Sequence, residues 1–122
     1  MARVLVVEDN PANMTFAVFL LESAGHVVLT ATDAESGLAK ARAEQPDLVL
    51  MDIQLPGMDG LIATAQLKRD EATRAIPVIA LTALAMKGDE ERIRAAGCDG
   101  YIAKPIDYKN FLAAIAAQLA PV

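Results

Sequence analysis

The sequence predicts an α/β protein in which one parallel β-sheet is covered by helices on both faces. Five short apolar segments alternate with five segments of helical pattern, which is typical of such a sheet. The segment 48–51 (Leu-Val-Leu-Met) is apolar without alternation, as expected for a strand buried on both faces. The 122 residues are 54% hydrophobic and only 4% aromatic, so we expect a single domain, residues 1–122, with an aliphatic core.

The first strand and helix are marked by clear local signals. Residues 3–7 (Arg-Val-Leu-Val-Val) are mostly β-branched and predict a buried strand. Asn10 provides an N-cap and Pro11 a first helical residue, and the helix should stop at Gly25. Its inward stripe is predicted at helical spacing. The stripe comprises Met14, Ala17, Leu20, Leu21 and Ala24.

The second and third strands are predicted at residues 27–31 and 47–51. The helix between them begins after Asp33, which caps it, and ends at about residue 44, before Pro46. An Asp-Gly pair then opens the third helix, at about residues 60–69. These segments continue the strand–helix alternation.

The last four segments complete the pattern. A buried strand is predicted at 76–81, followed by a polar helix at about 87–95 and a short strand at 100–103. The final helix covers about 108–119. Its inward stripe is predicted at Phe111, Leu112, Ile115 and Leu119.

Charge and composition exclude several classes of protein. The net charge is −5 and the pI is near 4.7, which argues against a nucleic-acid-binding surface of clustered Lys and Arg. No apolar stretch is long enough to span a bilayer or form a signal-peptide core. The one cysteine, Cys98, cannot form an internal disulfide. We therefore expect a cytoplasmic protein.

Chemically distinctive residues follow the predicted strands. Glu8 and Asp9 follow the first strand, Asp52 the third, Thr82 the fourth and Lys104 the fifth. The carboxyl ends of parallel strands share one edge of a sheet, so these side chains should converge where open α/β sheets bind ligands. Three crowded carboxylates suggest a bound Mg²⁺, and a lysine with a hydroxyl suits an oxyanion. The set favours phosphoryl transfer, with a carboxylate as a possible nucleophile.

Four segments carry a resemblance to a known family. In the family's order they are Val-Val-Glu-Asp-Asn (6–10), Leu-Met-Asp-Ile-Gln-Leu-Pro-Gly-Met-Asp-Gly (50–60), Ala-Leu-Thr-Ala (80–83) and Ala-Lys-Pro-Ile (103–106). The chain thereby resembles response-regulator receiver domains of two-component signalling over nearly its whole length. It is most similar to DivK-type single-domain regulators, with the receivers of hybrid histidine kinases as close relatives. The resemblance implies a flavodoxin-like, CheY-like sheet of order 2-1-3-4-5 with five helices.

The resemblance also implies roles for the strand-end residues. Asp52 would accept a phosphoryl group from a phosphohistidine of a histidine kinase or phosphotransfer protein. Asp9, Asp52 and the backbone carbonyl of Gln54 would hold Mg²⁺, with Glu8 acting mainly through water. Lys104 would pair with phosphorylated Asp52. The family further implies that the bond of Lys104 to Pro105 is cis, that Thr82 moves towards the phosphoryl group and that Tyr101 turns inward behind it.

Three further expectations concern regulation and partners. Gln54 and Leu84 occupy positions where the family tunes hydrolysis, and neither is a carboxylate, so we expect a moderately long-lived phosphoryl state. The outer face of the first helix, which includes Val18 and Phe19, is either a set of stray exposed side chains or a docking surface for a helical partner. The rest of this face is Thr15 and Glu22. A stand-alone regulator, monomeric or weakly dimeric, would act through protein contacts, and the DivK-like similarity suggests cell-cycle or developmental control. A receiver cut from a longer protein fits the sequence equally well.

Two rival functions remain at this stage. Taken singly, each strand-end residue has an ordinary explanation, such as a helix cap, a β-former or a solvated loop residue. A phosphatase or phosphotransferase of the haloacid-dehalogenase type also uses an Asp after a strand, but it needs a second Asp two residues on, where this chain has Gln54. A mononucleotide or flavin binder lacks support because no glycine-rich loop follows the first strand.

Overall fold

The computed structural model describes residues 2–83 and 87–119 of the chain. In these residues five strands alternate with five helices, as the sequence predicts. The strands are β1 (Arg3–Val7), β2 (Val27–Ala31), β3 (Leu48–Asp52), β4 (Val78–Thr82) and β5 (Gly100–Ala103). The helices are α1 (Pro11–Ser23), α2 (Ala34–Glu44), α3 (Gly60–Arg69), α4 (Lys87–Ala95) and α5 (Tyr108–Leu119).

All strand pairs are parallel, and the strand order is β2-β1-β3-β4-β5. The predicted order is therefore confirmed. All five residues of β3 are buried because strands lie on both of its sides and helices cover both of its faces. Its unbroken apolar run follows from that position.

The core has two layers, one on each face of the sheet. On one face, strand residues pack with α1 and α5 through Leu20, Leu21, Phe111 and Ile115. On the other face, strand residues pack with α2, α3 and α4 through small or aliphatic side chains. These include Ala34, Ala41, Ala63, Leu67 and Ile93. The predicted aliphatic core is confirmed, with Phe111 as its one large aromatic side chain among the described residues.

Two helices begin at the predicted caps Asn10 and Asp33. Asn10 Oδ1 accepts a hydrogen bond from the Asn13 amide at 3.0 Å. Asp33 Oδ1 accepts one from Ser36 at 2.7 Å. Side-chain oxygens at these positions satisfy amides that have no partner within the helix, so local sequence determines where the helices start.

Several predicted boundaries shift by one or two residues. Asp52 is the last residue of β3 rather than the residue after it, since it pairs with Leu81 of β4. The strand predicted at 76–81 begins at Val78, because the chain before it turns with the Ile76 amide bonded to the Thr73 carbonyl. Ala24, expected on the inward stripe of α1, is the exposed C-cap of that helix.

Candidate functional site

Four neighbouring strands end together and bring the predicted site residues to one edge of the sheet. The last paired residues of these strands are Val7 with Met51, Asp52 with Leu81 and Thr82 with Ala103. Glu8 and Lys104 are the next residues after β1 and β5. The register alone therefore places Glu8, Asp52, Thr82 and Lys104 in one row across the sheet.

The three acidic residues form one cluster. Glu8, Asp9 and Asp52 each offer a carboxylate oxygen, and these three atoms lie within 4.8 Å of one another. Glu8 and Asp52 are only 1% and 2% exposed, whereas Asp9 is exposed. The cluster is therefore open to solvent on the side of Asp9 and closed beneath Glu8 and Asp52.

Lys104 supplies the opposite charge. Its Nζ lies 3.1 Å from Asp52 Oδ2 and 2.9 Å from Glu8 Oε1, and the lysine side chain is 15% exposed. The Lys104–Pro105 peptide bond is cis, which agrees with the expectation from the family. Buried acids need such a partner because removing a carboxylate from water is unfavourable when it is unpaired.

The Asp52 carboxylate is held by its own backbone. Its Oδ1 accepts a hydrogen bond from the amide of Gln54 at 3.0 Å. The amide of Ile53, between them, donates to the Leu81 carbonyl of β4 at 3.1 Å. Oδ1 and Oδ2 thus have separate partners, the Gln54 amide and Lys104, which fixes the plane of the carboxylate.

The environment shifts the pKa values of the two buried acids, Glu8 and Asp52, in opposite directions. Burial raises the pKa of Glu8 from 4.5 to about 7, and the adjacent Asp52 carboxyl adds to this rise against the opposing effect of Lys104. Burial would also raise the pKa of Asp52, but a hydrogen bond from protonated Glu8, the Gln54 amide and Lys104 outweigh it, so this pKa lies below its ordinary value of 3.8. At neutral pH Asp52 is ionised, while Glu8 is close to its titration midpoint.

Lys104 stays charged in the site. Burial lowers the pKa of Lys104, but the ion pair with Glu8 and the charge of Asp52 more than compensate, so the pKa lies above its ordinary value of 10.5. One permanent positive charge thus faces three acids. The arrangement leaves a local excess of negative charge that a cation would neutralise.

The donor set fits a hard divalent cation. The candidate side-chain ligands are all carboxylate oxygens, and Mg²⁺ prefers oxygen ligands of this kind. Glu8 Oε1 is buried and accepts no hydrogen bond of good geometry, although the ion pair with Lys104 is short. It therefore retains capacity to accept a hydrogen bond, for example from a water on a metal ion.

Thr82 and Tyr101 lie on β4 and β5, the two strands that follow β3 towards one edge of the sheet. Thr82 is the last residue of β4 and is fully buried. Tyr101 pairs with Ala80, belongs to the edge strand β5 and is 37% exposed. Leu84, which we expected to influence hydrolysis, lies outside the described residues.

The start of α1 presents an exposed apolar surface near the site. A shallow concavity of about 610 Å³ is lined by Pro11, Ala12, Thr15, Phe16 and Phe19. Phe19 is 64% exposed and Phe16 is 40% exposed. We refer to these five residues as the α1 apolar surface.

The composition of this surface differs from the predicted one. Val18 is half-buried and does not line the concavity, whereas Phe16, which sequence reasoning missed, does. The spacing of Ala12, Phe16 and Phe19, four and three residues apart, places them along one helix face. That spacing was the signal available for finding Phe16.

Comparison with known proteins places the chain among receiver domains. The sequence profile of the response regulator receiver domain matches residues 4–116. The polar-differentiation response regulator DivK of Brucella ovis is 50% identical over 116 residues, which cover 95% of this chain and 94% of that protein. The match therefore extends over almost the entire length of both proteins.

Solved structures agree with this result. The receiver domain of a sensor histidine kinase from Pseudomonas aeruginosa, which has a magnesium ion in its active-site cleft, is 36% identical with a TM-score of 0.90 and 97% coverage of both chains. A chemotaxis response regulator of Vibrio cholerae is 27% identical with a TM-score of 0.92, covering 98% of this chain and 99% of that one. None of the helices in the described parts of the chain combines the length and apolar character of a membrane span.

Proposed function

This chain belongs to the response-regulator receiver family of two-component systems, and from that premise we propose that Asp52 is its phosphoryl acceptor. Receiver domains are phosphoryl-accepting switches rather than classical enzymes. One observation supports this proposal: the aligned strand ends bring the buried, ionised carboxylate of Asp52 to 3.1 Å from Lys104 Nζ. The same alignment places Asp52 beside the carboxylates of Glu8 and Asp9. The phosphoryl donor is the phosphohistidine of a histidine kinase or histidine phosphotransfer protein.

The transfer step follows from the state of Asp52. A carboxylate oxygen of Asp52 attacks the phosphorus, the phosphorus–nitrogen bond of phosphohistidine breaks, and its electron pair returns to the imidazole. Because the pKa of Asp52 lies below its ordinary value, the nucleophile is already ionised at neutral pH. Lys104 stays charged and neutralises part of the negative charge on the transferring group. Dephosphorylation is attack of water on the phosphorus of the acyl phosphate, which breaks the bond to the Asp52 oxygen, releases inorganic phosphate and restores the carboxylate. The only chemistry assigned to the chain is therefore its own phosphorylation and dephosphorylation.

Mg²⁺ is the cofactor that this site would hold. Asp9 and Asp52 would ligate it together with the backbone carbonyl of Gln54, and Glu8 would act mainly through water. The exposed carboxylate of Asp9 provides an approach from solvent. When bound, the ion supplies positive charge against the acids and the phosphoryl oxygens.

The switch step involves Thr82 of β4 and Tyr101 of β5, the two strands beyond β3 in the sheet. Thr82 hydrogen-bonds a phosphoryl oxygen and Tyr101 turns inward behind it. The resulting change lies on the surface formed by α4, β5 and α5. Tyr101 is partly exposed on an edge strand, so a change in its position alters the surface that a partner meets.

The α1 apolar surface is the docking site for the phosphodonor. It lies on the helix that follows Glu8 and Asp9, and its two exposed phenylalanines suit the apolar face of a helical kinase or phosphotransfer domain. Val18, predicted to take part in docking, is half-buried on the same helix and does not line this surface.

Several broader features belong to the same proposal. Residues 1–122 form one receiver domain that works in the cytoplasm as a monomer or weak dimer, without binding nucleic acid. By analogy with the polar-differentiation regulator, the pathway is cell-cycle or developmental control.

The Gln54 side chain is exposed and uncharged, which supports a moderately long-lived phosphoryl state. A half-life of only seconds at neutral pH with Mg²⁺ would contradict that lifetime.

The direct test uses a small phosphodonor, so that no partner is needed. Acetyl phosphate with Mg²⁺ should add one phosphoryl group to the wild-type chain, detected by intact mass, and none to Asp52→Asn. Turnover of other phosphoesters would instead indicate a phosphatase of the haloacid-dehalogenase type. Phosphotransfer profiling against the histidine kinases of the host, with the same Asn variant as control, then identifies the physiological donor.

A further inference from the structure

Gly60, the first residue of α3, packs against the backbone of Asp52 too closely to carry a side chain. A Cβ atom at this position would overlap the carbonyl oxygen of Asp52 and lie 2.8 Å from both the Asp52 carbonyl carbon and the Cα of Ile53. These neighbours are backbone atoms, so no side-chain rotation can relieve the contact. Only glycine allows the helix to approach the acceptor strand at this distance.

Hydrogen bonds hold the same contact together. The amide of Gly60 donates to the carbonyl of Ile53, the residue directly after Asp52, at 2.9 Å. On the other side, the amide of Ile53 donates to the Leu81 carbonyl of β4 at 3.1 Å. The chain that leaves Asp52 is therefore held between β4 and the first turn of α3.

That first turn is itself well defined. Asp59 Oδ1 accepts hydrogen bonds from the amides of Leu61 and Ile62, both at 2.9 Å. The buried hydroxyl of Thr64 donates to the Gly60 carbonyl at 2.8 Å. Asp59 and Thr64 thus fix the start of the helix that Gly60 brings against Asp52.

We propose that Gly60 is a positioning residue for the phosphoryl acceptor. Its missing side chain lets α3 fix the backbone of residues 52–54, and that backbone directs the Asp52 carboxylate through the hydrogen bond from the Gln54 amide. This inference rests on the proposed function, because it assigns Gly60 to the geometry of the same acceptor. The Gln54 amide provides a spectroscopic signal for that geometry.

The test compares Gly60→Ala with a control in the same helix. Leu67→Ala removes a buried side chain about two turns further along α3 from Gly60. We expect Gly60→Ala to move the ¹H–¹⁵N resonance of the Gln54 amide in the metal-free protein, and Leu67→Ala to leave it in place. We expect Gly60→Ala to slow phosphorylation by acetyl phosphate at least about tenfold, because small displacements of reacting groups are costly. Leu67→Ala, corrected for its folded fraction, should stay within about twofold of wild type, since it leaves the reacting groups in place.

Two results would overturn the inference. One is a folded Gly60→Ala protein whose Gln54 resonance and phosphorylation rate match those of Leu67→Ala. If Gly60→Ala does not fold, Asp59→Ala replaces it, since that variant loosens the first turn of α3 without adding an atom near Asp52. An unmoved Gln54 resonance in Asp59→Ala is the second such result.

The inference and the proposed function fail in different ways. Absence of phosphorylation on wild-type Asp52 would contradict the proposed function. The Gln54 amide comparison needs neither the phosphodonor nor Mg²⁺, so it decides the role of Gly60 in either case.

Discussion

Lys104 Nζ lies 2.9 Å from Glu8 Oε1, although the two residues follow strands that are three places apart in the sheet. Their ion pair spans the ends of β3 and β4. The Lys104 ammonium also contacts Asp52, at the end of β3. Removing the lysine would leave two buried acids without their positive partner. The site is thus built around a charge balance in which Lys104 is the one positive side chain among the contacts described.

We therefore expect Lys104→Met to lower the free energy of unfolding by about 3 kcal/mol at pH 8 without Mg²⁺, because breaking a buried ion pair strands its partners. The loss should be smaller at pH 6, where Glu8 takes up a proton and carries no charge. Urea denaturation at both values of pH measures this difference. Lys109→Met, at an exposed position, is the control, and an equal loss at both pH values would argue against the assigned charge states.

The raised pKa of Glu8 has a consequence for stability in the metal-free protein. The folded state binds this proton more tightly than the unfolded state, because the pKa is about 7 when folded and near 4.5 when unfolded. The resulting stabilisation is fully present below pH 4.5 and is lost as the pH rises through about 7. We expect Glu8→Gln to flatten this decline between pH 5 and about pH 8. Thermal melts across that range provide the measurement.

Mg²⁺ and the Glu8 proton should oppose each other. Protonated Glu8 adds no negative charge to the cluster, so calorimetric Mg²⁺ affinity should rise with pH through about 7 and then level off. In Glu8→Gln this rise should be absent. A wild-type affinity that does not change across this range would show that the Glu8 proton is not linked to metal binding.

The strand-end residues could be predicted because the identity of each residue and its position after a strand are both written in the sequence. The state of Glu8 could not, because it depends on distance. Glu8 is 1% exposed and its Oε1 lies 2.9 Å from Lys104 Nζ, a contact between residues near opposite ends of the chain that no local sequence pattern reveals. The contact of Gly60 with the Asp52 backbone could not be predicted either, because it also depends on distances in the folded chain. In a sequence, a glycine at the start of a helix usually indicates only a turn.

Periodicity was also reliable within limits. It placed Ala17, Leu20 and Leu21 of α1 inside correctly, but it extended the stripe to Ala24, where the helix has already ended. It missed Phe16 because exposure on a helix face depends on which neighbours cover it. The elements packed against α1 are β1, β2 and α5, and α5 is distant in the sequence.

Asp52→Asn should change both the titration of Glu8 and the stability of the fold. The pKa of Glu8 should move back towards 4.5, since the contribution of the Asp52 carboxyl to its rise disappears. The pKa of Asp52 lies below its ordinary value, so its charge stabilises the folded state, and the variant should lose about 1 to 2 kcal/mol of unfolding free energy at pH 8 without Mg²⁺. An NMR titration of the Glu8 carboxyl and urea denaturation provide the two measurements. An unchanged Glu8 titration would contradict the interaction between the two carboxyl groups.

The α1 apolar surface leads to the last prediction. Phe16→Glu and Phe19→Glu each place a charge on an exposed apolar side chain, so we expect neither to change stability by more than about 0.5 kcal/mol. Phosphotransfer from the cognate kinase or phosphotransfer protein should slow at least about tenfold, because a buried charge at the centre of an interface is unfavourable. Labelling by acetyl phosphate should remain at the wild-type rate, which separates docking from chemistry.

Ile62→Glu is the matched control for this prediction. Ile62 is 51% exposed and lies on α3, which covers the opposite face of the sheet, so it provides the same change of apolar side chain to acid elsewhere on the surface. Phosphotransfer at the wild-type rate in Ile62→Glu, but not in the two α1 variants, would assign docking to α1. Equal rates in all three variants would show that the exposed phenylalanines are isolated surface residues, and docking would have to involve another face of the domain.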